Sequence, residues 1–427
     1  MTGEEGEKKK KRINYQMELS DWNSQTMVLD DVSRLYDSTM GDQVQTPNGM
    51  TSFIQAIGTA VPPYAYTQDY AASCMKRWVR DRVLQRMVHH VYRQSGIEQR
   101  FSVIPDFQPG AVATTFRELP DGQLVEPTTG ERNQLYERTY APVACAAVNA
   151  VFDKAPWLKR TDVTHVITVS CTGFCNPGPD LMVVRACGLP LTTQRYHIGF
   201  MGCYAAFPAL RMADQFCRAN PDAVVLVVCV ELCSIHLQIK PTPDALLANA
   251  LFADGAGAAL VSARPAPSTR RSFALEHFAT RLIPGTEGDM AWTIGDHGFD
   301  MTLSSYVQRI LGLHADELIR EVVAASPFSY DEIAGWAVHP GGKAILQALE
   351  TRMGWPADSG PLVYSHRVLR DYGNMSSATI LFVLMAILEE SDLPDHSLLG
   401  ALAFGPGLTV EFGMLRLVAQ PAEHSHA

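Results

Sequence analysis

The sequence predicts an α/β protein made of two similar halves packed together. Three observations carry that expectation. Strand-like segments alternate with helical ones in both halves of the chain. The run AVVLVVCVEL, residues 223–232, is continuously apolar, the pattern of a strand buried on both faces. With 427 residues and 47% hydrophobic content, the chain has enough apolar material for a large layered core.

The ordered body is expected from Thr51. SFIQAIGTAVPP reads as a strand closed by a Pro-Pro turn, and residues 66–97 carry helical spacing of apolar positions. THVITVSCTGF is a β-branched strand ending at Gly173, followed by a short helix over Asp180–Cys187. RYHIGFMG then leads into CYAAFPALRMADQFCRA, a helix opened by Cys203 with Pro208 disturbing its first turn. ALLANALFADGAGAALVSA reads as a helix, a turn at Asp254-Gly255 and a strand. The second half repeats the scheme with a helix at ADELIREVVAAS and a strand at IAGWAVHP. Helices follow at GGKAILQALETRMG and SATILFVLMAILEE, and a strand pair at LLGALAFGPGLTVEFGMLRLV.

The net charge of −10 argues against a broad nucleic-acid-binding face. No segment approaches the roughly 18 apolar residues of a membrane span, and the basic run Lys8–Arg12 leads into polar sequence rather than a signal-peptide core. Residues 1–50 are polar and read as a flexible extension, and 420–427 as a flexible tail. The nine cysteines are odd in number and sit mostly in apolar runs, so they are expected as reduced, buried thiols of a cytoplasmic protein. Cys171/Cys175 and Cys229/Cys233 lack the loop that a structural zinc site prefers, so no metal is expected.

Three residues suit one chemistry. Cys203 follows Gly202, whose missing side chain permits a tight strand-to-helix turn. At a helix start, unpaired amides and the dipole are expected to lower its thiol pKa. His339 stands at the end of the strand WAVHP, with Gly341-Gly342 letting backbone approach a ligand. Asn374 sits in DYGNMSSATILF before the long apolar helix. Taken singly, a free cysteine is most often a core residue and Asn374 reads as a helix cap. Taken together, a thiolate can accept an acyl group from a thioester, with histidine pairing to it as a cation. His and Asn donors can stabilise the enolate left when a β-carboxylate departs as CO2. A Cys-His-Asn protease uses the same residue types.

Specific segments separate these readings. AIGTAVPP, GFMGCYAAFPALRMA, ALFADGAGAALV, WAVHPGGKAIL, YGNMSSATILF and AFGPGLTVE occur in this order. With them the chain resembles the type III polyketide synthases, the chalcone-synthase-like family, over nearly all of 51–419. The resemblance implies a thiolase-like fold of five layers, αβαβα. The nucleophile would lie in the half 51–265, and the histidine and asparagine in the half 266–419. It also implies a homodimer, with malonyl-CoA and an acyl-CoA starter as substrates and no cofactor. Cys203 would be the acyl acceptor, and His339 and Asn374 would bind thioester carbonyls and drive malonyl decarboxylation. Phe252 matches the gatekeeping aromatic between CoA tunnel and cavity, with Met301 where a second aromatic is usual. Cys171, Cys233 and His236 fall where plant members carry small polar cavity residues, and Trp292 where they carry glycine. Ser376 belongs to the same cavity set, and Asn176 matches the residue that reaches into the partner's cavity. The usual CoA-binding lysines are not matched. Arg86, His89, His90, Arg93 and Lys343 are the basic candidates.

The resulting expectation is iterative decarboxylative condensation closing to pyrone or resorcinol-type rings. A single-round ketoacyl synthase is the alternative, and a catalytically dead binding protein a third reading that the intact triad opposes. Met301, Cys171 and Cys233 make the cavity lipophilic and suit an aliphatic starter. Trp292 pulls the other way by shrinking the space where a long polyketide folds, so together these residues suggest an aliphatic starter with few malonyl additions; the alternative is a small cavity that accepts only short starters.

Overall fold

The computed structural model describes residues 50–267, 270–303, 305–357 and 360–418. The expected extension 1–50, apart from Met50, and the tail 420–427 lie outside the described residues. The first half comprises β1 (Ser52–Ala60), β2 (Tyr64–Thr67), α1 (Gln68–Trp78), α2 (Arg82–Gln94), β3 (Gln99–Ser102), β4 (Arg117–Glu118) and β5 (Leu124–Val125). It continues with α3 (Thr129–Lys154), β6 (His165–Ser170), α4 (Pro179–Ala186), β7 (Gln194–Gly199), α5 (Ala206–Ala219), β8 (Val224–Leu232), α6 (Pro243–Leu251) and β9 (Asp254–Ser262). The second half comprises β10 (Ser272–Leu282), β11 (Met290–Gly295), β12 (Gly298–Leu303), α7 (Ser305–Ala324), β13 (Ile333–Val338) and α8 (Lys343–Met353). It ends with α9 (Val363–Tyr372), α10 (Thr379–Glu390), β14 (Leu398–Gly405) and β15 (Thr409–Val418).

Nine strands form one mixed sheet in the order β13-β14-β15-β10-β1-β9-β8-β6-β7. Antiparallel pairing of β1 with β10 joins the part contributed by each half. The strand period of two then sorts side chains into layers. On β8, Val224, Leu226 and Val228 enter an outer core with α3, while Val225, Val227 and Cys229 face an inner core. That inner core holds α5 and α10 and is closed on its far side by Leu399, Ala401 and Ala403 of β14. The opposite face of β14 and β15 packs Leu402, Phe404 and Phe412 against α7 and α8. The layers therefore run helix, sheet, helix, sheet, helix, as expected, with the two sheet layers continuous at β1–β10.

The helix α10 shows why the central layer forms. TILFVLMAILEE is apolar nearly all round, and most of it is buried, which only a position between two sheets allows. The turn expected at Asp254-Gly255 lies one step earlier, because Asp254 already pairs in β9 with Leu232 of β8.

Two features depart from the sequence reading. Cys145 of α3 and Cys187 after α4 form a disulfide, with Cα atoms 5.5 Å apart. Chain separation hid this pair, which becomes close only when α3 and α4 pack together. The remaining cysteines are free, so the expectation of nine reduced thiols holds for seven. The long helix α3 was also not anticipated. Its start carries a capping box, Thr128 with Glu131, a signal that was legible in the sequence. No helix among the described residues is long and apolar enough to cross a membrane.

Helix α3 positions the site through Arg132, which is fully buried. Its guanidinium donates to the carbonyls of Ile235 and of Leu237, the latter at 2.8 Å, and to that of Pro127 at 3.0 Å. It thereby holds the turn Cys233–His236 that forms one wall of the cavity. Arg132→Met would leave those carbonyls unpaired. Urea denaturation should show a loss of about 3 kcal/mol, and a loss below about 0.5 kcal/mol would contradict this role.

Candidate active site

One cavity gathers the three residues of the expected triad. Cys203, His339 and Asn374 all line it, with Phe252, Met301, Cys171, Cys233, His236, Trp292 and Ser376. They arrive from separate elements. Cys203 lies in the turn Gly202–Tyr204 before α5, and His339 follows β13. Asn374 follows α9, where its backbone pairs with Phe252. Gly202 has φ +76°, and a Cβ there would lie 2.5 Å from Pro406 Cδ, so both backbone and space require glycine.

Cys203 does not open the helix itself. It occupies a short 3₁₀ turn, and α5 begins at Ala206. Burial pushes its thiol up to about 11, although hydrogen bonds from Ser376 and Asn374 favour the thiolate and the Glu231 carboxyl opposes it. The expected lowering is therefore overturned, because desolvation of the charged form outweighs the amides at the turn. His339 is 1% exposed, and burial pushes its imidazole down to about 3. Burial thus acts against the expected ion pair at both groups.

Both ring nitrogens of His339 are buried without a hydrogen-bond partner. Its backbone is held by donation from His339 N to Leu402 O at 2.8 Å. Asn374 is not the cap of α10. Its Oδ1 accepts from Ser376 N at 2.8 Å, and its Nδ2 donates to Gly341 O at 3.1 Å. An amide has a second N–H, and Asn374 lines the same cavity as Cys203.

Ser376 connects the cavity wall to a buried carboxylate. It lines the cavity with Cys203, and its Oγ lies 3.3 Å from Cys171 Sγ. Cys171 in turn donates to Glu231 Oε2, through Sγ at 3.4 Å and its backbone N at 2.9 Å. Thr172 and Ser377 also donate to Glu231. Ser376 has φ +47°, an uncommon conformation that this network fixes. Glu231 is fully buried, which pushes its carboxyl up to about 7. The sequence reading passed over Glu231, since it sits inside an apolar run; a lone carboxylate in such a run was the available signal.

The opposite wall is the hairpin β11–β12, in which Trp292 pairs directly with Met301. Phe299, also missed by the sequence reading, is sandwiched between His236 and Trp292, with centroids 3.9 and 4.8 Å away. His236 Nε2 donates to Thr172 O at 2.7 Å and Nδ1 accepts from Phe299 N at 3.3 Å, so its ring is fixed. Burial lowers its pKa to about 3, keeping it neutral. Asn176 does not line this cavity and is exposed, next to a cis bond to Pro177. Arg86, His89, His90 and Arg93 lie exposed on α2, which packs against α6. Lys343 is half-buried at the start of α8, beside Gly96. None of these five basic residues lines the cavity.

The chemistry predicts two measurements. Burial raises the thiols of Cys171, Cys233 and Cys203 alike, but Cys171 also donates to Glu231, whereas Cys203 is partly exposed in the cavity. Iodoacetamide should modify Cys203 before either of them, at a rate rising with pH above about 9; earlier labelling of Cys171 or Cys233 would contradict the assignment. Glu231 binds its proton more tightly folded than unfolded, so its contribution to stability is full below pH 4.5 and lost as pH rises to about 7. Against Glu231→Gln, wild type should lose roughly 3 kcal/mol across that window. Parallel pH profiles for the two proteins would rule this out.

Comparison with known proteins agrees with the geometry. Residues 39–265 match the family described as chalcone and stilbene synthases, N-terminal domain, and 274–419 match its C-terminal domain. The chain is 30% identical to type III polyketide synthase 10 of Oryza sativa, over 86% of this chain and 92% of that protein. It is 27% identical to the alpha-pyrone synthesis polyketide synthase-like Pks18 of Mycobacterium tuberculosis, over 86% of this chain and 92% of that one. Among solved structures, 1,3,6,8-tetrahydroxynaphthalene synthase of Streptomyces coelicolor superposes with a TM-score of 0.76 at 27% identity, covering 86% of this chain and 99% of that chain. The type III polyketide synthase domain of Steely1 from Dictyostelium gives 0.77 at 25% identity, covering 86% and 99%. The family match covers both halves, the fold agrees, and the triad meets in one cavity: the chain belongs to the chalcone and stilbene synthase family, the type III polyketide synthases, and is an acyltransferase.

Proposed function

We propose that the protein condenses malonyl-CoA repeatedly onto an acyl-CoA starter held on Cys203, and releases pyrone or resorcinol-type products. The observation that carries this is His339. Two unpaired nitrogens in a buried ring cost free energy unless a ligand satisfies them. A neutral imidazole keeps one N–H to donate, which is what a thioester carbonyl or an enolate oxygen requires.

The steps follow from these groups. The Cys203 sulfur attacks the starter thioester carbonyl, forming a new C–S bond and expelling CoA, which leaves with the proton of the thiol. Malonyl-CoA then binds with its thioester oxygen against His339 and Asn374. Loss of CO2 leaves its electron pair on the α-carbon, and the enolate oxygen takes the two donors. That carbon attacks acyl-Cys203 and expels the thiolate. The lengthened chain returns to Cys203 for another round. Decarboxylation supplies the nucleophile, so the reaction calls on no redox cofactor.

Free CoA thioesters as substrates suit a cytoplasmic enzyme. Exposed Arg86, His89, His90 and Arg93, with Lys343, are proposed to meet the CoA phosphates as a cationic patch. The exposed loop at Asn176 is proposed to enter the cavity of a second copy in a homodimer. A single-round condensing enzyme is the reading to test against.

Cys203→Ala should abolish acyl transfer from any thioester. His339→Ala should slow CO2 release from malonyl-CoA by about 10²-fold or more. Asn374→Asp keeps the acceptor for Ser376 N but removes the amide donor, and should slow CO2 release similarly while the fold is retained. Product mass spectrometry with malonyl-CoA reads the number of extensions. One CO2 per starter under all conditions would overturn the iterative reading.

A further inference from the structure

The hairpin wall belongs to the second half of the chain but is held by the first. Strands β11 and β12 form a two-stranded sheet of their own, apart from the nine-stranded one. A lone hairpin is marginally stable, so its position depends on what its backbone is tied to. Strand β12 is tied to the segment after β8, where Phe299 N donates to His236 Nδ1 and Gln238 Nε2 donates to Phe299 O at 2.9 Å. The tip is tied to α3. Thr129, the first residue of that helix, donates its backbone N to Asp296 O at 2.8 Å. Its hydroxyl accepts from Gly298 N at 2.8 Å and donates to Gly295 O. Gly295 and Gly298 are the pair that closes the hairpin, so one side chain bridges both ends of its turn. We propose that Thr129 is a specificity-determining latch: by holding the hairpin tip on α3 it limits the room for the growing chain, and so the number of malonyl units added. This rests on the reading of iterative condensation on Cys203 and names a residue that sets its length. Thr129 does not itself line the cavity, so it acts through the wall.

The first turn of α3 fixes two walls at once. Thr129 and Arg132 stand at i and i+3 and so share one face of the helix. Thr129 holds the hairpin tip, while Arg132 holds the Cys233–His236 turn through the carbonyls of Ile235 and Leu237. The helix therefore sets the separation between hairpin and turn. Gly298 shows how closely the tip is seated: its φ is +107°, and a Cβ there would lie 3.2 Å from Arg132 Cδ and Nε. Between the two walls runs the aromatic stack. His236 of the turn faces Phe299 at an interplanar angle of 16°, and Phe299 faces Trp292 at 4°. All three rings line the cavity. The Lys240–Asp300 ion pair also joins β12 to the first half, but both side chains are exposed and it adds little.

Each round of extension needs room for one more two-carbon unit. Close-packed rings give up that room only by losing their contacts, and a wall tied at its tip and along β12 resists moving outward. Removing the Thr129 hydroxyl takes away both of its bonds to the turn, while β12 stays anchored at Phe299. The tip is then free to swing away from α3, which parts the stack and admits further units before release. The reacting groups do not depend on this motion. Cys203 precedes α5, His339 follows β13 and Asn374 follows α9, none of which belongs to the hairpin.

The test compares Thr129→Val, which removes the hydroxyl at similar volume, with Thr129→Ser, which keeps it. Each full-length protein receives malonyl-CoA with whichever of acetyl-, hexanoyl- and benzoyl-CoA wild type loads fastest. Loading is read as acyl-Cys203 by intact-protein mass spectrometry, and extension as product mass and CO2 released per starter. Thr129→Val should raise severalfold the share of products longer than the main wild-type product, with loading of Cys203 retained. Thr129→Ser should match wild type. Gly298→Ala presses a methyl group against Arg132 and displaces the tip from its other side. It should lengthen the products too, and it carries the test if Thr129→Val fails to fold. Product lengths that stay unchanged or shorten in a folded variant that loads normally would overturn the latch, as would Thr129→Ser shifting them as far as Thr129→Val. One CO2 per starter in wild type would overturn the iterative reading, and the latch with it.

Discussion

Burial of two apolar helices between the sheet layers is the constraint on which the site depends. Helices α5 and α10 share the inner core with side chains from both halves. Each is preceded by a 3₁₀ turn, Gly202–Tyr204 and Ser376–Ala378, and the two turns touch. Cys203 sits in the first, and Asn374 is hydrogen-bonded into the second through Ser376 N. Moving either helix along its axis would expose apolar surface, so the core fixes the distance between nucleophile and amide donor. The third member, His339, is tied to the same frame by its backbone bond to Leu402 on β14.

The same burial sets the electrostatics. A site sealed from water penalises every isolated charge, which raises the Cys203 thiol and the Glu231 carboxyl and lowers the His339 imidazole. Burial thus favours the uncharged form of each of these groups. That suits chemistry in which charge develops on substrate and is met by fixed dipoles, because those dipoles need no reorganisation at the moment of reaction. The hydrogen-bonded series Ser376, Cys171 and Glu231 runs from the cavity wall into the core.

Polar groups around the cavity are tied into the frame: Arg132 serves the carbonyls of the Cys233–His236 turn, and Asp254 accepts from Ser234 and Val103 N. Several buried polar atoms elsewhere also lack a partner, but His339 leaves both of its ring nitrogens unpaired, and it does so on the cavity wall. The cavity wall is accordingly divided in character. Donors converge near Cys203, while the lining contributed by α1 is mostly rings and hydrocarbon.

The sequence by itself determined the layered α/β class, most of the strands and helices, and the three residues that the fold brings to one cavity. Those features are local: hydrophobic period, strand-ending glycines and prolines, and short ordered segments such as WAVHPGGKAIL and YGNMSSATILF. Helix α3 was legible too, through the Thr128–Glu131 box, though its apolar face is diffuse. Tertiary structure alone decided the rest, because each remaining feature joins residues distant in the chain. Cys145 meets Cys187 only when α3 and α4 pack. Glu231 meets Cys171 across neighbouring strands β8 and β6. The protonation of Cys203 depends on how completely water is excluded, a property of the whole cavity that overrode the local signal of a helix start. The cavity itself is bounded by elements far apart in the chain, and an empty space leaves no mark in a sequence.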